Sequence, residues 1–151
     1  MKIYPFAVLL LLIVQACTLS GEQEDRLNKQ LSRYINAYND NRTLEVVAHT
    51  HPAVVKYYKK QGDTLFLKHF QQLENDFQTF LSNPLYREMK ETSKSIQRKY
   101  WLEKYTVNEE INDEYCIFAI SEDGGNNWFF ALEEDYFNSA IQLNKRLFTK
   151  N

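Results

Sequence analysis

The chain has 151 residues, which is room for one ordinary domain behind a short leader rather than for two domains. Its 18 basic and 20 acidic residues are interspersed and leave a formal net charge of -2, so the charge pattern does not favour a nucleic acid as partner. Of the two cysteines, Cys17 ends an apolar leader. We therefore expect no disulfide within the domain, and we interpret Cys116 as a buried thiol in an apolar strand.

Residues 1–16 have the pattern of a cleaved export signal. Lys2 precedes an apolar run from Ile3 to Val14, which as a helix would span roughly 18 Å. The hydrocarbon core of a bilayer is roughly 30 Å thick, so the run is too short for a comfortable spanning helix. A short apolar segment behind a positive start and before a small residue is typical of a signal peptide that is removed.

The last residues of this segment, Val14-Gln15-Ala16-Cys17, resemble the lipobox of bacterial lipoproteins. The resemblance implies signal cleavage between Ala16 and Cys17, a diacylglyceryl group on the Cys17 thiol, and acylation of the new amine. Two or more acyl chains hold a protein stably on a membrane, so membrane lipid would be the partner of Cys17. Two alternatives stay open, namely a secretory signal that releases a soluble protein and an uncleaved anchor.

The residue after the cysteine bears on the compartment. In lipoproteins of bacteria with two membranes, an aspartate here tends to retain the protein in the inner membrane, whereas this chain has Thr18. We predict a lipid-anchored protein of the bacterial cell envelope, in the outer rather than the inner membrane, with residues 17–21 as a lipidated tether. The acidic stretch 22–25 is similar to the export tags of some surface lipoproteins, but we favour its role at a helix start, where acidic residues complement the dipole.

The domain, placed at residues 22–151, begins with helical periodicity. A first helix is predicted over 20–39, where Ser20 and Gln23 are spaced as a capping box. Its inward residues are Leu27, Leu31, Tyr34, Ile35 and Tyr38.

Two breakers divide the helices that follow. A helix from Thr43 is predicted to bend at Pro52, and a helical piece over 53–60 is predicted to end at Gly62. The first of these carries Leu44, Val47 and Ala48. Asp63 is predicted to cap a further helix. Its inward residues are Leu65, Phe66, His69, Phe70, Leu73 and Phe77.

Beyond Asn83-Pro84 the periodicity changes to two, which predicts strands. The clearest are 100–107, 114–121 and 128–132, whereas 85–99 also permits a helix and is interpreted as strand. A final helix is predicted over 135–148 from one apolar stripe. Its members are Phe137, Ala140, Ile141, Leu147 and Phe148. Helices followed by hairpin-connected strands predict an α+β domain, with N-terminal helices packed on one face of a curved antiparallel sheet and a helix at the C-terminus.

Several segments together resemble the cone-shaped nuclear transport factor 2-like (cystatin-like) superfamily, in particular its bacterial envelope members. They are Tyr34-Ile35-Asn36-Ala37-Tyr38-Asn39, the stretch 44–47, His51-Pro52, and Ser121-Glu122-Asp123-Gly124-Gly125 ahead of Trp128. The resemblance covers most of 22–132. It implies a strongly curved sheet around a pocket, which members variously use for catalysis, ligand binding or dimerisation, so it constrains chemistry little.

The stretch from Ser121 to Trp128 also resembles an Asp box, except that Asn127 replaces the usual threonine. We interpret Ser121, Asp123, Gly125 and Trp128 as a structural hairpin, because Asp123 can accept amide hydrogen bonds and Trp128 can pack beneath the turn. Glycan contact is the alternative. Asp boxes recur in sialidase-type propellers, whereas this chain has one copy and is too short for several blades.

Three histidines are available for chemistry, namely His49, His51 and His69. Their spacing fits neither a two-strand zinc site nor the His-Glu-x-x-His helix, so we predict no metal and no cofactor. Some superfamily enzymes abstract a proton with a His or Asp in the cone. His51 is the first candidate because it follows the early helices at the expected pocket mouth, and His69 is the second.

These observations predict a lipid-anchored, non-catalytic envelope protein that binds a small ligand or an envelope protein. The alternative is a cone-fold enzyme of isomerase, cyclase or dehydratase type that uses His51 or His69.

Overall fold

The computed structural model describes residues 19–71, 78–80, 84–92, 95–106, 111–138, 141 and 146–148. The predicted signal and the residues Ala16 and Cys17 lie outside the described residues. Within them the chain is α+β, as predicted, with helices before a five-stranded antiparallel sheet and a short helix after it. The helices are α1 (Gly21–Asn39), α2 (Thr43–His49), α3 (Pro52–Gln61), α4 (Asp63–Gln71) and α5 (Glu133–Phe137). The strands are β1 (Gln78–Phe80), β2 (Leu85–Glu91), β3 (Ile96–Thr106), β4 (Ile111–Ser121) and β5 (Phe129–Leu132).

Helix α1 forms as its sequence predicts. The Ser20 hydroxyl accepts a hydrogen bond from the Gln23 amide, and the Gln23 side chain accepts one from the Ser20 amide at 2.7 Å, so the capping box is complete. The five residues predicted to face inward are all buried. Helix α1 is tied to the sheet by Arg98 of β3, whose guanidinium donates to Glu24 at 2.7 Å. Because Arg98 is mostly buried, this ion pair also satisfies a charge that would otherwise be costly.

The breaks between the short helices also follow the sequence. Pro52 is the first residue of α3, where its missing amide costs nothing, and Gly62 ends α3 with a φ of 107°. The sequence predicted Asp63 as the cap of α4. In the structure Asp63 is instead the first residue of the helix. The Gly62 carbonyl instead accepts the first hydrogen bond, from the Phe66 amide at 3.1 Å.

Three leucines on these helices, Leu44, Leu65 and Leu67, do not join the core. Leu65 was expected to face inward but is 46% exposed, and Leu44 of α2 is 88% exposed. Val46 is the buried residue of α2, and Phe70 that of α4. Leu73 and Phe77 lie outside the described residues.

The sheet is centred on β3. Strands β1 and β2 pair with successive parts of one edge of β3, β4 pairs with its other edge, and β5 continues beyond β4, all antiparallel. Within the ambiguous stretch 85–99, residues 85–91 and 96–99 are strand, as interpreted. The stretch divides into β2 and the start of β3 at a turn where the Thr92 amide donates to the Ser95 carbonyl at 2.7 Å.

Both faces of the sheet are covered along β4, whereas the sequence predicted cover on one face. Successive residues from Cys116 to Ile120 are all buried, and successive side chains of a strand point to opposite faces. On one face Tyr34 of α1 stacks on Phe130, with ring centres 4.9 Å apart. On the other, Phe118 stacks on Tyr136 of α5 at 3.9 Å and contacts Phe148.

The C-terminal segment provides that second cover, and it is not the long helix that was predicted. Helix α5 ends at Phe137, and residues 146–148 have no helical structure. The Tyr136 hydroxyl accepts hydrogen bonds from the amides of Leu147 and Phe148 at 2.9 and 3.2 Å, and it donates to Gln97. A side chain thus takes the amides that a continued helix would have used. The buried positions Ile141 and Phe148 were nevertheless predicted correctly.

Cys116 is a free thiol inside this core. Burial raises its pKa to about 12, so it stays protonated at neutral pH and is a poor nucleophile. Every buried core residue that the structure describes lies between Leu27 and Phe148. The chain downstream of Cys17 therefore carries the whole of the described core.

Candidate functional site

His51 lies where α2, α3 and β5 meet. The residue before a proline avoids helical geometry, and His51 is extended (φ -55°, ψ 130°) and caps α3. Its backbone amide donates to the Phe130 carbonyl at 2.8 Å, next to a parallel bridge between Thr50 and Phe130. Its side chain is buried, and Nδ1 accepts the Ala53 amide at 3.2 Å.

This cap fixes the chemistry that His51 can offer. A neutral imidazole that accepts at Nδ1 carries its proton on Nε2. Nε2 is 3.9 Å from a carboxylate oxygen of Glu122. Neutral His51 therefore presents a hydrogen-bond donor toward Glu122 rather than the free lone pair that a general base needs.

A cleft of about 340 Å³ opens beside His51, and we call it the His51 cleft. It is lined by His51, Pro52, Ala53, Glu122, Asp123, Asn127 and Phe129. One predicted catalytic candidate and one residue of the predicted hairpin thus line the same cleft.

The loop over 122–127 is built around the Asp123 carboxylate. One oxygen accepts the Ser121 hydroxyl at 2.8 Å and the amides of Asn126 and Asn127 at 3.1 and 2.9 Å. The other accepts the side-chain amide of Asn127 at 2.6 Å. Asn127 stands where an Asp box has threonine, and its side-chain amide thus donates a hydrogen bond to Asp123. Partial burial would raise the pKa of Asp123, but these hydrogen bonds outweigh it and hold the pKa below its usual value.

The same loop is bound to α1. Gly124 and Gly125 have φ of 72° and 88°, and a Cβ on Gly125 would lie 3.1 Å from Nε2 of Gln23. The Gln23 side chain donates to the Gly124 carbonyl at 2.5 Å. Trp128 is fully buried, and its indole N–H donates to the Gly125 carbonyl at 3.1 Å. The structure therefore brings Ser121, Asp123, Gly125 and Trp128 into one turn whose polar groups bond inward.

His69 belongs to a different cluster. Its ring stacks on Tyr58 with centres 3.7 Å apart, and its Nε2 is 3.1 Å from Oδ2 of Asp135. The Tyr58 hydroxyl donates to Oδ1 of the same carboxylate at 2.9 Å. Burial and the neighbouring Asp135 raise the pKa of Tyr58 well above its usual value, so this hydroxyl keeps its proton.

The structure does not bring the histidines to one site. His69 does not line the His51 cleft, and His49 lies half-buried on α2. Burial lowers the pKa of His49 despite the neighbouring Glu45. In the described part of the chain, no three His, Cys, Asp or Glu side chains are grouped as metal ligands would be.

A second cleft, of about 530 Å³, shares Pro52 and Phe129 with the His51 cleft. We call it the lysine groove. Its apolar lining comes from Val47, Ala48, Pro52, Val55 and Phe129. Thr50 also lines it, but its hydroxyl is occupied by a hydrogen bond to the Val46 carbonyl at 2.8 Å.

Three lysines of α3, Lys56, Lys59 and Lys60, complete the groove. They are exposed, and their spacing puts them on one face of the helix. Among the residues that the structure describes, no carboxylate forms an ion pair with them. Sequence reasoning missed this groove, and the spacing of the three lysines beside Pro52 was its available signal.

Sequence reasoning also missed Tyr58 and Asp135 as partners of His69. Asp135 is distant in sequence from both Tyr58 and His69, and the sequence predicted it only as the start of a helix.

No helix within the described residues is both long enough and apolar enough to cross a membrane.

The chain matches no known protein family, and it has no significant similarity to a curated protein or a solved structure. The likenesses to lipoproteins, to the nuclear transport factor 2-like superfamily and to the Asp box therefore stay predictions from the sequence.

Proposed function

We propose that this protein is a lipid-anchored component of the bacterial cell envelope, held in the outer rather than the inner membrane by acylated Cys17, and that its domain binds a small ligand without catalysing a reaction. The sequence Val14-Gln15-Ala16-Cys17 supports the anchor. The observation that carries the binding role is the lysine groove, whose volume lies within the roughly 300–1,000 Å³ of small-molecule sites. Its mostly apolar lining and few polar groups are also typical of such sites.

Metabolic labelling of bacteria that express the full chain with an alkyne fatty acid tests the anchor. We expect label on the wild-type protein and none on Cys17→Ala. Cys116→Ala is the matched control, because the buried Cys116 thiol is protonated and shielded, so this variant should keep the label. A wild-type protein without label, or label that survives Cys17→Ala, would contradict the anchor.

A second candidate is the proton-transfer enzyme of isomerase, cyclase or dehydratase type. One observation favours it, since a carboxylate bonded to one nitrogen of a histidine, as Asp135 is to His69, is how many enzymes orient a base. The same reasoning does not extend to His51, whose Nδ1 is taken by the Ala53 amide.

Acylation of histidines by diethyl pyrocarbonate tests this candidate. A base that receives a proton from substrate has to be reachable from solvent, so His69 should react at least as readily as the half-buried His49. Protection of His69 while His49 reacts would exclude it as the base.

A further inference from the structure

We propose that the lysine groove binds a monoacyl anion, meaning an amphiphile with one acyl chain and one anionic head group. The proposal rests on the ligand-binding role proposed above and names the ligand class. It follows from three observations, which are the apolar walls of the groove, the exposed Leu44 on the same face of α2, and the three lysines of α3.

The walls of the groove fit an alkyl chain. Val47 and Ala48 come from α2, Val55 from α3 and Phe129 from β5, so apolar side chains approach from three elements. The one hydroxyl among them, that of Thr50, already bonds to the Val46 carbonyl. An apolar chain would displace water from this lining without leaving a buried polar group unpaired, which is the favourable case for apolar burial.

Leu44 is not part of the groove lining, but it offers apolar surface next to that lining on α2. It lies three and four residues before Val47 and Ala48, so the three share one face of α2. Its side chain is 88% exposed, although a leucine gains about 1.5–3 kcal/mol from full burial. A bound chain that continues along α2 would cover it.

The lysines select the head group. Lys56, Lys59 and Lys60 lie on one face of α3 at the groove, and Lys59 Nζ is 5.6 Å from the centre of the Phe66 ring. In the described part of the chain these ammonium groups have no carboxylate partner, while arginines of neighbouring elements do, as Arg42 does with Glu45. An apolar groove with cations on one side is complementary to an acyl chain that ends in a carboxylate, phosphate or sulfate.

The limited size of the groove favours a single amphiphile over a bilayer surface. The groove is largely open to solvent, and its volume of about 530 Å³ between two helices and a strand is room for one acyl chain. A membrane surface would instead be met by a protruding apolar face. We therefore assign the groove to a monomeric ligand and treat binding to a bilayer as the competing outcome.

Calorimetric titration of the chain from Thr18 to Asn151, which carries the whole described core, tests the proposal. The probes are dodecanoate and dodecyl phosphate below micelle formation, with dodecyl maltoside as the neutral amphiphile and inorganic phosphate as the head group alone. We expect one molecule of either anion per chain, binding at least about threefold weaker for dodecyl maltoside, and none detected for phosphate.

Two variants and a matched control locate the site. Replacement of Lys56, Lys59 and Lys60 by Gln should weaken the binding of dodecanoate at least about threefold. Its affinity should then be close to that of dodecyl maltoside. Replacement of the exposed Lys29, Lys68 and Lys90 by Gln, which changes the net charge equally, should leave the preference intact. Ala48→Trp fills the groove from an exposed helix position and should weaken the binding of both dodecanoate and dodecyl maltoside. Circular dichroism establishes that each variant is folded.

Three outcomes would overturn the proposal, namely no binding of monomeric dodecanoate, equal weakening by both lysine variants, and binding only to vesicles that contain phosphatidylglycerol. These outcomes are independent of the labelling experiment. A chain that is acylated at Cys17 but binds no monoacyl anion keeps its proposed anchor and loses this ligand, and the converse result keeps the ligand and loses the anchor.

Discussion

The 122–127 loop and the lysine groove belong to neighbouring clefts that share Pro52 and Phe129, and they use their polar groups in opposite ways. In the loop, both oxygens of Asp123 and the side chain of Asn127 bond to each other or to the turn. In the groove, three ammonium groups stand beside an apolar surface without a carboxylate partner among the described residues. The difference separates a surface that stabilises the fold from one that can bind a partner.

The loop side of this comparison is tested most severely at Trp128. Trp128→Ala removes a fully buried indole and should lower the free energy of unfolding by about 3–5 kcal/mol, as measured by thermal or urea denaturation. Trp128→Phe keeps most of the ring but loses the bond to the Gly125 carbonyl, so its effect should be smaller. An unchanged melting temperature for Trp128→Ala would mean that the hairpin is not structural.

The contact between the loop and α1 can be measured with two glycines that differ in their surroundings. Gly125→Ala combines a positive φ with a Cβ 3.1 Å from Gln23 and should destabilise the protein by about 1–3 kcal/mol. Gly124 also has a positive φ, but a Cβ there would meet open space, so Gly124→Ala should destabilise the protein less than Gly125→Ala. Equal effects in urea denaturation would show that the contact with Gln23 adds nothing.

The buried contacts of Asp135 with Tyr58 and His69 extend the comparison to the interior of the protein. Tyr58→Phe leaves one oxygen of a buried carboxylate without its donor and should cost about 1–3 kcal/mol of stability. Tyr57→Phe is the matched control, because no described residue bonds to the Tyr57 hydroxyl, and it should be near neutral. Stability of both variants is read from urea denaturation, and a Tyr58→Phe protein as stable as the control would contradict the structural role of the cluster.

The smallest expected effect is a pH dependence at Asp123. Its pKa is lowered in the folded protein, so its hydrogen bonds stabilise the fold above the unfolded pKa of about 3.9 and are lost as pH falls through the lower folded value. Denaturation at several pH values below about 4 should therefore show a shallower loss of stability for Asp123→Asn than for wild type. Parallel curves would contradict the lowered pKa.

Local patterns in the sequence predicted a large part of the fold. The capping box at Ser20, the break at Pro52 and the stop at Gly62 depend on residues close in sequence, and all three are present. The turn from Ser121 to Trp128 is local in the same sense. The prediction of a long C-terminal helix was wrong because the Tyr136 hydroxyl, which donates to Gln97 of β3, accepts hydrogen bonds from the amides of Leu147 and Phe148.

The candidate site was less accessible to sequence reasoning. The lysine groove combines helical residues near Val47 with Phe129, and the cluster around His69 needs Asp135 from beyond the sheet. The spacing of the three lysines is a local pattern, but neither juxtaposition is, because packing of the helices against β5 and α5 creates it. His51, the first candidate base of the alternative function, lines a cleft, and its role as the cap of α3 makes its neutral side chain a donor toward Glu122.

The central claim, that the groove binds while the loop only stabilises, is tested most directly by amide chemical shifts during a titration of the 18–151 chain with monomeric dodecanoate. We predict saturable shifts over 47–60 and at Phe129, with the amides of 124–127 unchanged. Shifts concentrated in the loop, or no saturable shift along the groove, would contradict the account.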